Sequence, residues 1–280
     1  LVRQTFEEAG DTLGRDIAAL CFTGEQEELN KTENAQPCLL TAAYALYKLF
    51  MDLGGGAAML TGFSLGECTA AAASGAITFA QGLRLVRFRA DAMQRCVPLG
   101  QGGMAAILGQ SAQTVEALCK EAEQVWPSNY NCPGQIVVSG AKAGVDAVCD
   151  LAAARGVVCM PLAVSIPSHC PLMRPAADAL AAYLSNVAFN DPALPVVTGI
   201  DAQITADGGA LRQKLSQQLV TPIRYAQCLH TMREAGADTF IELGPGRTLT
   251  GLVKKTLPDA RRLRVSDLKT LEETLNAVNA

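Results

Sequence analysis

Apolar side chains recur at helical spacing along the first third of the chain. In residues 36–51, QPCLLTAAYALYKLFM, they lie three and four positions apart, which predicts a helix with one face on the core. Residues 79–95, FAQGLRLVRFRADAMQR, predict a second helix. Between the two, glycines at 54–56 interrupt the pattern, and the apolar run 57–61 predicts a short buried strand ahead of a helix-forming stretch at 65–73. The predicted order there is strand, turn, helix.

The pattern changes in the middle of the chain. Residues 103–165 predict, in order, a strand, a helix, two extended segments, a helix and a strand, which is the βαββαβ order of a ferredoxin-like unit. Beyond it the chain returns to alternating strands and helices. We therefore expect an α/β fold with a largely parallel sheet in a large body, formed by residues 1–102 and 166–280, and a small unit at 103–165 inserted into it.

The composition is that of an ordinary globular protein. Of 280 residues, 49% are hydrophobic and 18% charged, and the net charge of −4 argues against a nucleic-acid partner. No charge-free apolar segment reaches membrane-spanning length, and the start is polar rather than signal-like. The ten cysteines form no C-x-x-C pair. We expect reduced thiols, no metal site, no membrane contact and a cytoplasmic protein, with a disulfide scaffold as the alternative.

The pentapeptide GFSLG at residues 62–66 is the first candidate for chemistry. It has the G-x-S-x-G pattern at a predicted strand-to-helix turn, which lifts a serine hydroxyl clear of the sheet at a helix N-terminus. The tight turn predicts that neither flanking glycine has room for a Cβ atom. Ser64 is therefore a candidate nucleophile. The alternative is an ordinary turn in which Ser64 caps the helix.

A serine nucleophile needs a base, and the chain has two histidines. His169 follows a predicted strand in VSIPSHCPLM and lies between Pro167 and Pro171, which restrict the conformations of its loop. It is the candidate base, and the alternative is a loop histidine with its hydrogen bonds satisfied. His230 lies beside the apolar stripe of a predicted helix, where we expect a partly exposed side chain.

One arginine falls toward the apolar side of its helix. Arg89 lies among apolar neighbours, whereas Arg87 and Asp91 have the spacing of an ordinary surface pair. A guanidinium in apolar surroundings is costly unless it is satisfied, and a carboxylate is its natural bidentate partner. That carboxylate is either an Asp or Glu of the protein or the free carboxylate of a substrate.

Over essentially its whole length, the chain resembles the malonyl-CoA:acyl carrier protein transacylases of fatty acid synthesis. The segments that carry the resemblance, in order and at family-like spacing, are QPCLLTAAYALY, GFSLGE, RFRADAMQ, NYNCPGQIVVSG, VSIPSHCPLM, QQLVTPIRY and ELGPGRTLTGL. The resemblance implies an α/β-hydrolase-like large body, an inserted ferredoxin-like unit and an active site in the gap between them. It implies malonyl-CoA and phosphopantetheinylated acyl carrier protein as substrates and partners, without a further cofactor. We expect a monomer.

The resemblance also implies roles for particular residues. Those that act on the acyl group are Ser64 as nucleophile, His169 as base, Arg89 as clamp on the malonyl carboxylate, and Asn131 as a substrate-binding residue. The backbone carbonyl of Gln218 would orient the histidine in place of a triad carboxylate. The amide of Leu65 would be one oxyanion donor.

Three departures from the family pattern stand out. Phe63 occupies a position that is usually His, and Cys132 replaces a serine. The family's opening strand and G-Q-G-S-Q loop, whose glutamine is the second oxyanion donor, are not in the sequence. We therefore expect an incomplete N-terminus, with activity and stability below those of a longer parent, because one such donor contributes about a hundred- to a thousandfold in rate.

Three other functions remain open from the sequence. A polyketide synthase acyltransferase would use another extender unit. A serine hydrolase would pass the acyl group to water, should orient its histidine with a buried Asp or Glu, and would leave Arg89 without a purpose. An inactive module that only binds a carrier protein is the third.

Overall fold

A computed structural model describes residues 1–98, 100–164 and 166–279 of the chain. The helices are α1 (Val2–Leu13), α2 (Ile17–Thr23), α3 (Gln26–Asn30), α4 (Thr32–Asp52), α5 (Leu65–Ala73), α6 (Phe79–Cys96), α7 (Ala112–Lys120), α8 (Lys142–Ala154), α9 (Arg174–Leu184), α10 (Gly208–Gln217), α11 (Tyr225–Glu234), α12 (Thr248–Thr256) and α13 (Leu268–Asn279). The strands are β1 (Leu60–Thr61), β2 (Gly102–Leu108), β3 (Val125–Cys132), β4 (Gln135–Ala141), β5 (Val158–Pro161), β6 (Val196–Val197), β7 (Ile204–Thr205), β8 (Thr239–Leu243) and β9 (Arg261–Val265). The fold has the predicted α/β class.

The middle of the chain forms a small unit with the predicted βαββαβ order. Its sheet has the strand order β3-β4-β2-β5 with antiparallel neighbours, and α7 and α8 cover one apolar core with it. The last strand is shorter than the apolar run that predicted it and ends at Pro161. The predicted boundaries at residues 165 and 280 lie outside the described residues, and the division into 1–102, 103–165 and 166–280 remains a prediction.

The large body contains two small sheets instead of one continuous sheet. β1 pairs with β6 in parallel, β6 pairs with β7 antiparallel, and β8 pairs with β9 in parallel. Parallel pairing therefore predominates among the described strands of this part. The apolar runs indicated the strands but not their partners, because a run of buried residues carries no information on pairing.

Helices α4 and α6 pack together in the core of the large body. Leu40 of α4 and Leu83, Leu85 and Val86 of α6 are at most 1% exposed. Thr78 begins α6 with a capping box: its hydroxyl accepts from the backbone of Gln81, whose side chain accepts from the Thr78 amide. The apolar stripe and the cap together explain where this helix starts and which face it buries.

Pro37, inside α4, leaves a backbone carbonyl free for a contact with α6. Pro37 has no amide proton, so the carbonyl of Glu33, four residues earlier, has no intrahelical donor from it. Arg87 of α6 donates to that carbonyl over 3.5 Å, a long and weak contact, and also pairs with Asp91 at 3.1 Å. The surface pair that the sequence predicted is therefore present.

The small unit is joined to the large body by strand-like hydrogen bonds. Tyr130 of β3 donates its amide to the carbonyl of Ile223 at 2.8 Å, and Ile223 donates to the carbonyl of Ser128 at 2.9 Å. Ile223 follows a single 3-10 turn at Gln218–Val220. This junction fixes β3 against the segment that carries Gln218.

The cysteines were expected to be reduced. Each of the ten cysteines has a free thiol. None of the described helices is both long and apolar enough to cross a membrane.

Candidate active site

Ser64 lies on a sharp turn between β1 and α5. Its backbone has φ 53° and ψ −103°, a conformation that L-residues rarely adopt, and its hydroxyl does not cap the helix. A Cβ on Gly62 would lie 1.9 Å from the carbonyl carbon of Gly66, so the turn requires glycine at position 62. At Gly66 the expectation is wrong, because a Cβ there would have nothing within 4 Å.

His169 meets the serine from the loop between β5 and α9. Its side chain is 2% exposed and its φ is 61°, a second strained backbone at the site. Nε2 lies 2.7 Å from the Ser64 hydroxyl oxygen, and Nδ1 lies 2.9 Å from the backbone carbonyl of Gln218. A carbonyl only accepts, so Nδ1 carries the proton and Nε2 accepts from the serine hydroxyl.

The imidazole is held in its neutral form. Burial, and to a smaller extent the positive charge of Arg89, lower the pKa of His169 to about 4, against the opposing influence of the Gln218 carbonyl. A neutral imidazole with Nε2 free to accept is the state that a general base requires.

Arg89 lies at the same point, buried on α6. Its side chain is 2% exposed, and burial lowers the pKa of the guanidinium. It donates to Oε1 of Gln36 at 2.7 Å, to Oε1 of Gln218 at 3.0 Å and to the Ser64 hydroxyl at 3.0 Å. All three acceptors are neutral, and no salt bridge to Arg89 occurs within the described residues. The protein carboxylate that the sequence left open as its partner is not found.

Gln218 contributes more than the backbone carbonyl that the sequence predicted. Its side-chain Nε2 donates to the carbonyl of Ser64 at 2.9 Å while its Oε1 accepts from Arg89. The residue is 1% exposed and therefore connects nucleophile, base and arginine from a buried position. Sequence reasoning missed this side chain.

Gln36 was missed as well, although a signal was present. It precedes the fully buried Leu40 by four positions and so falls on the core face of α4, where an amide side chain needs buried partners. It finds them in Arg89 and in Thr32, whose hydroxyl accepts from Nε2 at 2.7 Å.

Leu65 is the first residue of α5, and its amide lies at the positive end of that helix. The two amides that follow close the turn: Gly66 donates to the carbonyl of Phe63 at 2.9 Å, and Glu67 donates to the carbonyl of Ser64 at 3.1 Å. The position is compatible with the predicted oxyanion contact of Leu65, which remains a prediction.

Asn131 lies on β3 of the small unit. Its Nδ2 donates to Gln135 at 3.3 Å, and its Oδ1 is buried with no hydrogen-bond partner in the described part of the chain. The described residues show no hydrogen bond from Asn131 to Ser64, His169 or Arg89. Its predicted role in substrate binding therefore lacks a direct contact with the other candidates.

Phe63 and His230 are two further side chains that the sequence singled out. Phe63 packs edge to face against Tyr225, with ring centroids 5.4 Å apart, so this departure from the family pattern has an apolar neighbour. His230 is exposed on α11, as the sequence predicted. The described residues contain no group of three or more His, Cys, Asp or Glu arranged to hold a metal ion.

Known proteins share much of this sequence. Residues 5–272 match the acyl transferase domain. The malonyl CoA-acyl carrier protein transacylase of Escherichia coli K12 is 44% identical over 262 residues, which cover 91% of this chain and 84% of that protein. The enzyme of the same name from Bacillus subtilis is 39% identical over 275 residues, covering 96% of this chain and 87% of that one.

Solved structures of malonyl-transferring enzymes superpose closely on this chain. An acyl-carrier-protein S-malonyltransferase from Burkholderia pseudomallei 1710b superposes with a TM-score of 0.96 at 43% identity, covering 98% of this chain and 91% of that one. A chain from a complex of a type II polyketide synthase acyl-carrier protein with its malonyl-transacylase superposes with a TM-score of 0.96 at 42% identity, covering 99% of this chain and 91% of that one.

Proposed function

The chain belongs to the acyl transferase family, and we propose that it transfers a malonyl group from malonyl-CoA to the phosphopantetheine thiol of an acyl carrier protein through an ester on Ser64. It is an acyltransferase, and its relatives are named for this transfer. The product supplies fatty acid or polyketide synthesis. The substrates are malonyl-CoA and the phosphopantetheinylated acyl carrier protein, and we propose no further cofactor. The cytoplasmic location and monomeric state remain predictions.

The surroundings of Arg89 carry this proposal. Within the described residues, its buried positive charge donates only to neutral acceptors, one of which is the Ser64 hydroxyl at 3.0 Å. In a malonyl ester the carboxylate is two carbon–carbon bonds from the carbonyl carbon attached to the serine oxygen. A carboxylate at that distance from Ser64 can take the guanidinium as a bidentate partner. An uncharged acetyl group cannot satisfy the arginine, so the site disfavours it.

The first half of the reaction forms the ester. Nε2 of His169 takes the hydroxyl proton as Ser64 Oγ attacks the thioester carbonyl, and Nδ1–H stays bonded to the Gln218 carbonyl, which stabilises the imidazolium. The amide of Leu65 donates to the developing oxyanion. When the carbon–sulfur bond breaks, the leaving thiolate of coenzyme A receives the proton from His169.

The second half reverses these steps with another thiol. His169 takes the proton of the phosphopantetheine thiol, and the sulfur attacks the malonyl ester. The carbon–oxygen bond to Ser64 breaks, and His169 returns the proton to the serine. Atoms and charge balance without a redox partner.

The geometry weighs against two of the alternatives. A serine hydrolase is expected to orient its histidine with a carboxylate, but here a backbone carbonyl holds Nδ1. An inactive binding module has no need of a serine and a histidine in hydrogen-bond contact at 2.7 Å. A polyketide synthase acyltransferase with another extender would share the site, and only its acyl preference would differ.

A mass-spectrometric experiment tests the proposal. The protein is incubated with malonyl-CoA, and we expect a malonyl adduct on the peptide that contains Ser64. Addition of phosphopantetheinylated acyl carrier protein should then move the malonyl group to the carrier. Slow loss to water without transfer would indicate a hydrolase, and no adduct would favour the binding module. Methylmalonyl-CoA in parallel tests the other extender.

A further inference from the structure

A fully buried acid next to the nucleophile takes no part in the mechanism above. Glu67 lies in the first turn of α5, three residues after Ser64, and its side chain is 0% exposed. A carboxyl group without contact to water is costly unless its environment satisfies it. Its position therefore requires an explanation.

The carboxyl of Glu67 is bonded on one side only. Oε1 accepts from the backbone amide of Gly199 at 2.9 Å, whereas Oε2 is buried with no hydrogen-bond partner among the described residues. The described residues show no salt bridge between Glu67 and Arg89. Glu67 thus leaves the guanidinium available while it binds a backbone amide of another segment.

The contact at Gly199 is close and admits no side chain. A Cβ on Gly199 would lie 2.7 Å from Oε1 of Glu67 and 3.0 Å from Cγ2 of Ile223. Gly199 follows β6 by two residues, so the carboxyl reaches from the nucleophile helix to the end of the strand that pairs with β1.

From Gly199 the hydrogen bonds continue to the small unit. The carbonyl of Gly199 accepts from the Arg224 amide at 2.7 Å, and the adjacent Ile223 exchanges backbone hydrogen bonds with Ser128 and Tyr130 of β3. Ile223 is five residues after Gln218, whose carbonyl and side chain contact His169, Ser64 and Arg89. Glu67 therefore adds a second link between the serine turn and the segment that orients the base, beside the hydrogen bond from the Gln218 side chain to the Ser64 carbonyl.

We propose that Glu67 is a positioning residue: by accepting the Gly199 amide, its carboxyl holds the Ser64 turn in register with the segment that carries Gln218 and Ile223. The proposal rests on the proposed function only where the rate of malonyl transfer is measured. The rate of Ser64 sulfonylation does not depend on that function. The proposal deepens that function by adding a residue that touches neither substrate nor reacting atom and acts through the Ser64–His169 distance.

A reaction that needs no malonyl group gives the first measurement. Phenylmethylsulfonyl fluoride sulfonylates an activated serine: the oxygen–sulfur bond forms, fluoride leaves, and the base takes the proton. We expect Glu67→Ala to slow sulfonylation of Ser64 by up to about 100-fold, the cost of a displacement near 1 Å between reacting groups. In malonyl transfer, kcat should fall with little change in KM, because the binding group Arg89 is not touched.

Conservative and matched variants separate positioning from general damage. Glu67→Gln keeps an oxygen that can accept from Gly199 and should recover most of the lost rate. Glu272→Gln, an exposed acid on α13, should leave both rates unchanged. Should the alanine variant unfold, Glu67→Asp replaces it, since the shorter side chain withdraws the carboxyl from Gly199. Parent-like sulfonylation in the variant that loses the contact would overturn the proposal.

A double-mutant cycle tests whether Gly199 is the other half of the contact. Gly199→Ala alone should slow sulfonylation, because the added Cβ displaces the carboxylate. In the Glu67→Ala background the same change should slow sulfonylation by a smaller factor, because the displaced carboxyl is gone and only the close approach to Ile223 remains. Effects that multiply would overturn the proposal. A different outcome would refute the proposed function alone: the parent takes up no malonyl group from malonyl-CoA, while its sulfonylation still depends on Glu67.

Discussion

The small antiparallel sheet and the candidate catalytic cluster of Ser64, His169, Arg89 and Gln218 both contain buried groups, but these buried groups differ in chemistry. In the small unit, Ala105, Ile107 and Val138 are 0% exposed and surrounded by other apolar side chains. In the cluster, Arg89 and His169 are 2% exposed and surrounded by polar groups. Burial of the first kind stabilises the fold, whereas burial of the second kind costs free energy unless each group finds a hydrogen bond.

Backbone conformation also differs between the two regions. In the small unit, β2 and β4 keep a continuous antiparallel ladder from Gly102–Ala141 to Leu108–Gln135. Ser64 and His169 instead have φ of 53° and 61°, which cost free energy and persist only where the surroundings fix them. Among the described residues of the small unit, Gln124 just before β3 also has a positive φ, 54°, but it takes no part in the proposed chemistry.

Removal of the nucleophile gives the largest expected loss on the catalytic side. We expect Ser64→Ala to abolish the malonyl adduct and lower transfer by about 10⁴-fold or more, because no ester can form. The melting temperature should change little, since the serine hydroxyl is not part of the apolar core. The control is Ser185→Ala, an exposed serine at the end of α9, which should transfer malonate at the parent rate. A malonyl adduct on the Ser64→Ala protein would place the nucleophile elsewhere.

Removal of the buried arginine should change selectivity more than stability. We expect Arg89→Ala to lower kcat/KM for malonyl-CoA by about 10³-fold, the loss of a buried charge-assisted pair, with a much smaller change for acetyl-CoA. The measurement is the ratio of the two kcat/KM values. Arg87→Ala, on the same helix and 40% exposed, is the matched control and should keep the parent ratio. An unchanged malonyl preference in Arg89→Ala would contradict the clamp.

A cavity in the small unit should have the opposite profile. We expect Ile107→Ala to lower the free energy of unfolding by about 2–5 kcal/mol, because a fully buried aliphatic side chain is lost. Ile204→Ala, at 44% exposure, should cost less than about 0.5 kcal/mol. Urea denaturation measures both. If the folded Ile107→Ala protein also lost its Ser64 sulfonylation rate, the separation between stability and chemistry would be wrong.

Local sequence patterns predicted much of this arrangement. The helix expected at 65–73 has those bounds, and helical spacing alone placed Arg89 toward the core and Arg87 with Asp91 at the surface. Such patterns report one face of one element. They are strong where a single periodic segment decides the outcome, as it does for the burial of Arg89.

The partners of Arg89 could not be predicted in this way. Gln36 is 53 positions from Arg89 and Gln218 is 129 positions away, and both contacts depend on how separate elements pack. For Gln218 the family resemblance supplied the backbone carbonyl, but nothing in the sequence indicated that its amide also reaches Ser64. Pairing of the short strands in the large body was unpredictable for the same reason.

The smallest effect concerns the charge that Arg89 places beside the base. Sulfonylation of Ser64 requires neutral His169, so its rate should fall as the pH drops through the histidine pKa of about 4. Arg89 contributes to that low pKa, because its positive charge disfavours a second one nearby. We expect Arg89→Met, which keeps the apolar stem, to raise the pKa of His169 and move the acid limb of the rate profile to higher pH.

The direction of this shift distinguishes the two causes of the low pKa. Burial is the larger cause and persists in Arg89→Met, so the limb should remain below the ordinary histidine value of 6.5. The sulfonylation rate is measured against pH, with circular dichroism at each point to confirm the fold. Arg87→Met, at the surface, should leave the limb in place. A limb that stays in place in Arg89→Met would mean that burial alone lowers the pKa of His169. A limb that moves to lower pH would contradict the direction assigned to the arginine charge.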